Sequence, residues 1–312
     1  MKLYYTDHFD LPLPPGHRFP MAKYRMLRDA LHETARFSPQ DFLVPDAASD
    51  EMLERAHARD YVKRVSEGRL SAQEQRRIGF PWTPAMVERS RRSVGATVAA
   101  CRTALSEGCA ANLAGGTHHA HADFGSGFCV FNDAAVAART LLAETCISRI
   151  AVIDCDVHQG DGTAAILSGD ASVFTFSIHG ARNFPFRKQV SDLDIELPDD
   201  TGDAPYLAAL ANGLDQVFDR AKPQFVIYLA GADPYHDDRL GRLALSKEGL
   251  MARDVSVLSA CTSTGTPVAL AMAGGYANDI SDTVSIYLAT ITTAQKVFSG
   301  GWRVTPSDVS CG

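Results

Sequence analysis

Four short apolar runs in this chain break off into a reactive polar residue, and that pattern narrows the fold more than any other feature. Residues 150–153 spill into Asp154, Asp156, His158 and Asp161; QFVIYLA (224–230) leads to Asp233; PVALAMA (267–273) leads to Tyr276; and ANLAGGT (111–117) leads to His118 and His119. Strands that are apolar at every position are buried on both faces, which calls for a parallel sheet covered by helices on either side. Helical spacing at 20–35, 83–105, 132–142, 204–221, 246–263 and 278–291 supplies those helices, and 2–6 and 172–178 read as further strands. The expected class is therefore α/β, a single domain with a central parallel β-sheet flanked by helices on both faces. Ligands of such sheets bind outside the carboxyl ends of the strands, so the four endings are expected to share one site.

The bulk properties fit. A chain of 312 residues can bury one substantial core, and 46% apolar against 21% charged residues is ordinary for a globular protein. A formal charge of −7 offers no overall basic field for nucleic acid. No apolar run is long enough to cross a membrane, and the first residues lack a signal-peptide core. The seven cysteines lack CxxC spacing, and Cys129 and Cys155 sit in apolar or site-forming segments as buried thiols, so the chain reads as reduced and cytoplasmic. No repeat or linker divides residues 1–312. The polar, Arg-rich stretch 66–81 reads as a surface loop, and the residues after Trp302 as a loose tail.

Three acids and a histidine within eight residues, 154–161, would repel one another and be costly to desolvate unless a cation sat among them. Asp156, His158 and Asp233 offer two oxygens and one nitrogen with room for a water, the layout of a catalytic metal site. Alone, Asp156 is a helix cap and His158 a loop residue; together with Asp233 they are a ligand set. The adjacent His118 and His119 are two proton carriers, each needing a carboxylate to fix its tautomer, and Asp154 and Asp161 can serve. The glycine pair Gly274–Gly275 lets the chain turn tightly and place the Tyr276 hydroxyl at a developing oxyanion. Gly125–Phe131 (GSGFCVF) suits the wall of a narrow channel.

With GGTHHAH, SGFCVFND, VIDCDVHQGDG, FSIH, LAGADPY and MAGGY in this order over 112–276, the chain resembles the histone deacetylase superfamily of arginase-like fold. DVHQGDG and GADPYHDDRLGRLALSKEGL are most similar to its class IV branch and bacterial relatives. The resemblance implies Asp156, His158 and Asp233 as zinc ligands, with ferrous iron an alternative. It implies His119, oriented by Asp161, as the general base that activates water and then protonates the leaving amine, and His118, oriented by Asp154, as an electrostatic partner. Tyr276 would stabilise the oxyanion, Gly127 would offer its carbonyl to the substrate amide, and Phe128 would line an acyl-lysine tunnel, with Gly274 and Gly275 also at the substrate. A second tunnel aromatic would be Phe184 or Phe186. A structural potassium ion would sit on Asp154, the carbonyls of Asp156 and His158, and Ser177 with Ile178; a second cation site would lie around Leu167, Asp170 and Val173. The substrate would be acyl-lysine in protein or a small acylated amine.

The chain departs from the family pattern in three places. Gln159 stands where many relatives have a second histidine, no rim aspartate is assignable near Phe80–Trp82, and the loop after His179 lacks the long insertion of polyamine deacetylases. Two rivals are weaker. A dimanganese ureohydrolase needs D-x-H-x-D where this chain has D-x-D-x-H, and a silent acyl-lysine binding module would normally have lost a ligand, a histidine or the tyrosine.

Overall fold

The computed structural model describes residues 1–9 and 11–299; the tail expected after Trp302 lies outside the described residues. Strands β1 (Lys2–Tyr4), β2 (Phe42–Leu43), β3 (Cys109–Asn112), β4 (Ile150–Asp154), β5 (Val173–Gly180), β6 (Leu193–Leu197), β7 (Phe225–Leu229) and β8 (Val268–Ala271) form one sheet. Their order is β2-β1-β3-β8-β7-β4-β5-β6, and every neighbouring pair is parallel. Strand β8, the latest in sequence among the described residues, thus lies between β3 and β7. The helices are α1 (Ala22–Glu33), α2 (Asp50–Glu54), α3 (Arg59–Ser66), α4 (Ala72–Ile78), α5 (Pro84–Glu107), α6 (Asp133–Glu144), α7 (Asp161–Leu167), α8 (Asp203–Ala221), α9 (Lys247–Ser263) and α10 (Ile280–Ser299).

The four central strands β3, β8, β7 and β4 are buried at every position. Successive side chains of a strand point to opposite faces, and the core divides accordingly. Ile150 and Val152 of β4 pack with α5 and α6, whereas Ala151 and Ile153 pack with α1, α8, α9 and α10. The fold is the α/β class expected, a parallel sheet with helices around it. Among the described residues, Cys101, Cys109, Cys129, Cys155 and Cys261 are free and buried, and no helix is long and apolar enough to cross a membrane.

Residues 66–81 are not a bare surface loop. Ser71 and Glu74 form a reciprocal capping box, with Glu74 N donating to Ser71 Oγ at 3.2 Å and Ser71 N to the Glu74 carboxylate at 2.8 Å. Helix α4 follows, and Gly79 closes it in the left-handed conformation at φ 86°. Its arginines are the solvent face, while Ile78 and Phe80 are buried. The last helix also runs past 291, to Ser299. The peripheral β2 and β6 escaped the sequence pattern: one has two residues, and the other, LDIEL, carries a half-buried Asp194 and an exposed Glu196 as an edge strand does.

Between α2 and α3, His57 is buried with both ring nitrogens committed. Asn132 N donates to Nε2 at 2.9 Å, and Nδ1 donates to the His121 carbonyl at 2.9 Å. Burial holds His57 down at about 4, although backbone carbonyls oppose it. A folded state that keeps this ring neutral binds fewer protons than the unfolded chain between that value and the ordinary 6.5. Stability from this group is therefore complete above pH about 6.5 and declines as the pH falls toward 4, by up to about 1.4 kcal/mol per unit. Denaturant midpoints between pH 7 and 4.5 check this: the wild type will lose stability over the interval, and His57→Gln will lose less.

Candidate active site

The four endings meet. β4, β7, β8 and β3 are adjacent in the sheet, so Asp156 and His158, Asp233, Tyr276, and the His118–His119 pair emerge side by side. One ligand atom from each of Asp156, His158 and Asp233 lies within 4.8 Å of the others. His158 Nδ1 is 2.9 Å from Asp156 Oδ1. It also faces Asp233 Oδ2 at 3.2 Å, but off hydrogen-bond geometry, and that buried oxygen has no hydrogen-bond partner among the described residues. The remaining carboxylate atoms are taken: Val157 N donates to Asp233 Oδ1 at 2.9 Å and Gly274 N to Asp156 Oδ2 at 2.7 Å. From below, the fully buried Arg253 donates to the carbonyls of Cys155, at 3.3 Å, and Gly231, tying the ends of β4 and β7 together.

The electrostatics show which kind of group this cluster suits. Burial and the charge of Asp156 push Asp233 up to about 7. Burial opposes a charge on His158, yet the two carboxylates outweigh it and raise the ring to about 10. Two buried carboxylates and an imidazole that settle for a proton between them would be better satisfied by a divalent cation, and the donor set suits one. The orphaned Asp233 Oδ2 is the atom such an ion would use.

The histidine pair is split. His118 Nδ1 lies 2.7 Å from Asp154 Oδ2; burial opposes its charge, but Asp154 and Asp156 raise it to about 9. His119 Nδ1 is 2.6 Å from Asp161 Oδ1. Burial, and then the neighbouring His118 charge, push His119 down to about 4 despite Asp161. The two rings, 4.2 Å apart between centroids, are thus biased in opposite directions, His118 toward holding a proton and His119 toward acting as a neutral base.

These groups form the floor of a cavity of about 800 Å³. Phe128 and Phe184 line it, and the Phe184 ring stands edge-on 4.9 Å from His119, whereas Phe186 is 88% exposed at the mouth. Gly127, at φ 52°, carries no side chain because a Cβ would press to 2.7 Å on His119 Cδ2. Phe128 itself adopts φ 66°, a costly conformation for a bulky residue. It is pinned there by Gly127 N donating to Arg77 O at 3.1 Å and Phe128 N to Ile78 O at 2.7 Å. The end of α4, read from sequence as loop, thus sets the channel wall.

Gly274 lines the cavity, but Gly275 does not. The Gly275 carbonyl instead accepts from the fully buried Lys23 at 3.1 Å, behind the site. Asp154 is in register with Ser177, the neighbour of Ile178, while Leu167, Asp170 and Val173 are linked by two consecutive turns, Asp170 N donating to Leu167 O and Val173 N to Asp170 O. Several residues were not singled out by sequence. Asp133 accepts from Gly116 N at 2.9 Å and Thr117 N at 2.7 Å, fixing the histidine loop. His121 shares Asp161 with His119, at 3.1 Å, and Asp238 accepts from Tyr276 N at 2.6 Å. His121 and Asp133 lie inside quoted motifs, so the signal was there; Lys23 offered none.

A Cβ at position 274 would collide with Asp233 Oδ2 and fall 2.6 Å from Asp156 Oδ2. Gly274→Ala is therefore expected to spread the ligand cluster and weaken divalent-metal affinity by about tenfold to a hundredfold, the range for disturbing ligand orientation. Metal competition against a chromogenic chelator measures it; unchanged affinity would show that the cluster tolerates displacement.

An open parallel sheet with proton carriers and acids at its strand ends, facing a cavity, defines an α/β protein with a candidate acid–base and metal site. Residues 17–291 match the histone deacetylase domain, and the chain belongs to that family. An uncharacterized protein of Picosynechococcus sp. is 45% identical over 95% of this chain and 98% of its own. Histone deacetylase 2 of Arabidopsis thaliana is 33% identical over 60% of this chain, which spans 49% of that protein's length. Among solved structures, an HDAC homologue complexed with SAHA superposes with a TM-score of 0.79 at 22% identity, over 98% of this chain and 92% of the other.

Proposed function

We propose that the chain is one catalytic domain that hydrolyses an N-acyl amide, most simply Nε-acyl-lysine, with a single divalent ion on Asp156, His158 and Asp233. The observation that carries this reading is the orphaned Asp233 Oδ2, aimed at a three-ligand cluster beside a neutral His119. When bound, the ion, zinc or ferrous iron, supplies a Lewis acid and an acidified water. The chain's residues do the rest. His119, held by Asp161, takes the proton of the attacking water and returns it to the leaving amine. His118, a cation paired to Asp154, stabilises the charge that develops on the substrate. Tyr276 donates its hydroxyl to the oxyanion. Phe128 and Phe184 flank the extended acyl-bearing chain, and Gly127 offers its carbonyl to the amide N–H. A monovalent cation at Asp154 and Ser177 would brace the β4 end.

The test is a deacylation assay on metal-loaded protein, using lysine peptides and free amines carrying acetyl to myristoyl groups, with metal content measured in parallel. Turnover with one ion per chain is expected. Two ions per chain would favour the ureohydrolase chemistry, and one ion without turnover of any acyl group would sink the deacylase reading.

A further inference from the structure

The cavity mouth is basic on an acidic chain. Arg18, Arg76, Arg77, Arg182, Arg239 and Arg242 all line it and are exposed, although the chain carries a formal charge of −7. The carboxylates lining the same cavity are Asp156 and Asp233, both buried at its floor. Few of these arginines have counter-charges. Asp199 is shared by Arg242 at 3.1 Å and Arg182 at 3.8 Å. Arg239 spends its Nε on the Tyr276 carbonyl, and Arg77 lies over the Phe124 ring at 4.6 Å. Arg18 and Arg76 have no ion pair among the described residues.

Like charges gathered at a low-dielectric mouth repel one another until a counter-charge arrives, and they draw anions toward it. The guanidinium fork matches carboxylates in particular. The acyl amide must pass to the floor, so the anionic groups belong to the part of the substrate left outside. Resting on the deacylase reading above, we propose that this site selects acyl-lysine in acidic polypeptide segments, with Asp or Glu flanking the acylated residue held by the mouth arginines. The exposed Phe186 borders the same mouth and offers an apolar contact for the peptide. Acylated polyamines are disfavoured, because their free ammonium groups would be left among arginines.

The test measures binding as well as turnover. Calorimetry on the metal-loaded full chain would compare acetyl-lysine peptides with acidic, neutral and basic flanks, N-acetylspermidine, and free Nε-acetyl-lysine. The acidic peptide should bind about tenfold or more tightly than the neutral one at low salt. The preference should collapse at about 1 M salt, where screening acts within about 3 Å, and in the Arg18→Ala/Arg76→Ala/Arg182→Ala variant. Equal affinity for acidic and neutral peptides, or a preference that survives both salt and the variant, overturns the proposal. Free Nε-acetyl-lysine binding as well as the acidic peptide overturns its polypeptide part. Selective binding without product from any peptide would sink the deacylase reading alone; equal binding with product from all would sink the arginine mouth alone.

Discussion

Asp233→Asn will abolish divalent-metal binding and hydrolysis together, while the metal-free protein stays folded. The asparagine keeps the oxygen that accepts from Val157 N and replaces only the one without a partner. It also removes one of two buried carboxylates that oppose each other's charge, a relief that offsets the loss of the ion pair between its Oδ2 and His158 Nδ1 at 3.2 Å. Thermal unfolding separates the effects. Metal at about a thousandfold over its dissociation constant stabilises a folded state by about 4 kcal/mol, so the wild type will show a metal-induced rise in Tm and the variant none. Full metal occupancy in the variant would remove Asp233 from the ligand set.

Tyr276→Phe has the second largest expected effect, a fall in kcat of about a hundredfold or more, as loss of one oxyanion donor brings. The change deletes only a hydroxyl. The backbone at 276 is clamped from both sides, with its N–H on Asp238 at 2.6 Å and its carbonyl on Arg239 Nε at 2.9 Å. The ring is held near Phe128, at 6.0 Å, and Phe19, at 6.2 Å. Metal content and KM should therefore stay near wild type, so that the loss appears in kcat. A variant with unchanged kcat would assign oxyanion stabilisation to another group.

The strand endings were legible because each is a local statement: an apolar run too short and too continuous for an amphipathic helix, then a glycine or an acid. The candidate ligand set, Asp156, His158 and Asp233, was read from the same segments. What was not legible depends on partners far along the chain. Lys23 is an ordinary residue in an amphipathic helix until its Nζ meets the Gly275 carbonyl, 252 positions away. The strand order depends on pairings that no local pattern encodes. Helix α4 was obscured differently: its arginines made 66–81 look like a solvated loop, although Ser71 and Glu74 already spelled a helix start. Missing that helix hid the source of the Phe128 conformation and one station of the basic mouth.

The placement of β8 has a consequence for synthesis on the ribosome. Residues 268–271 fill the gap between β3 and β7, so a nascent chain that has emerged only through α9 holds two half-sheets, each with an unpaired apolar edge. At that stage Asp156 and Asp233 already exist, but the Gly274 N–H and Tyr276 do not. The protein thus passes, until residues 268–276 emerge, through a state that is sticky and catalytically incomplete. Pausing or truncation before residue 268 should create a chaperone client, not a partly active enzyme.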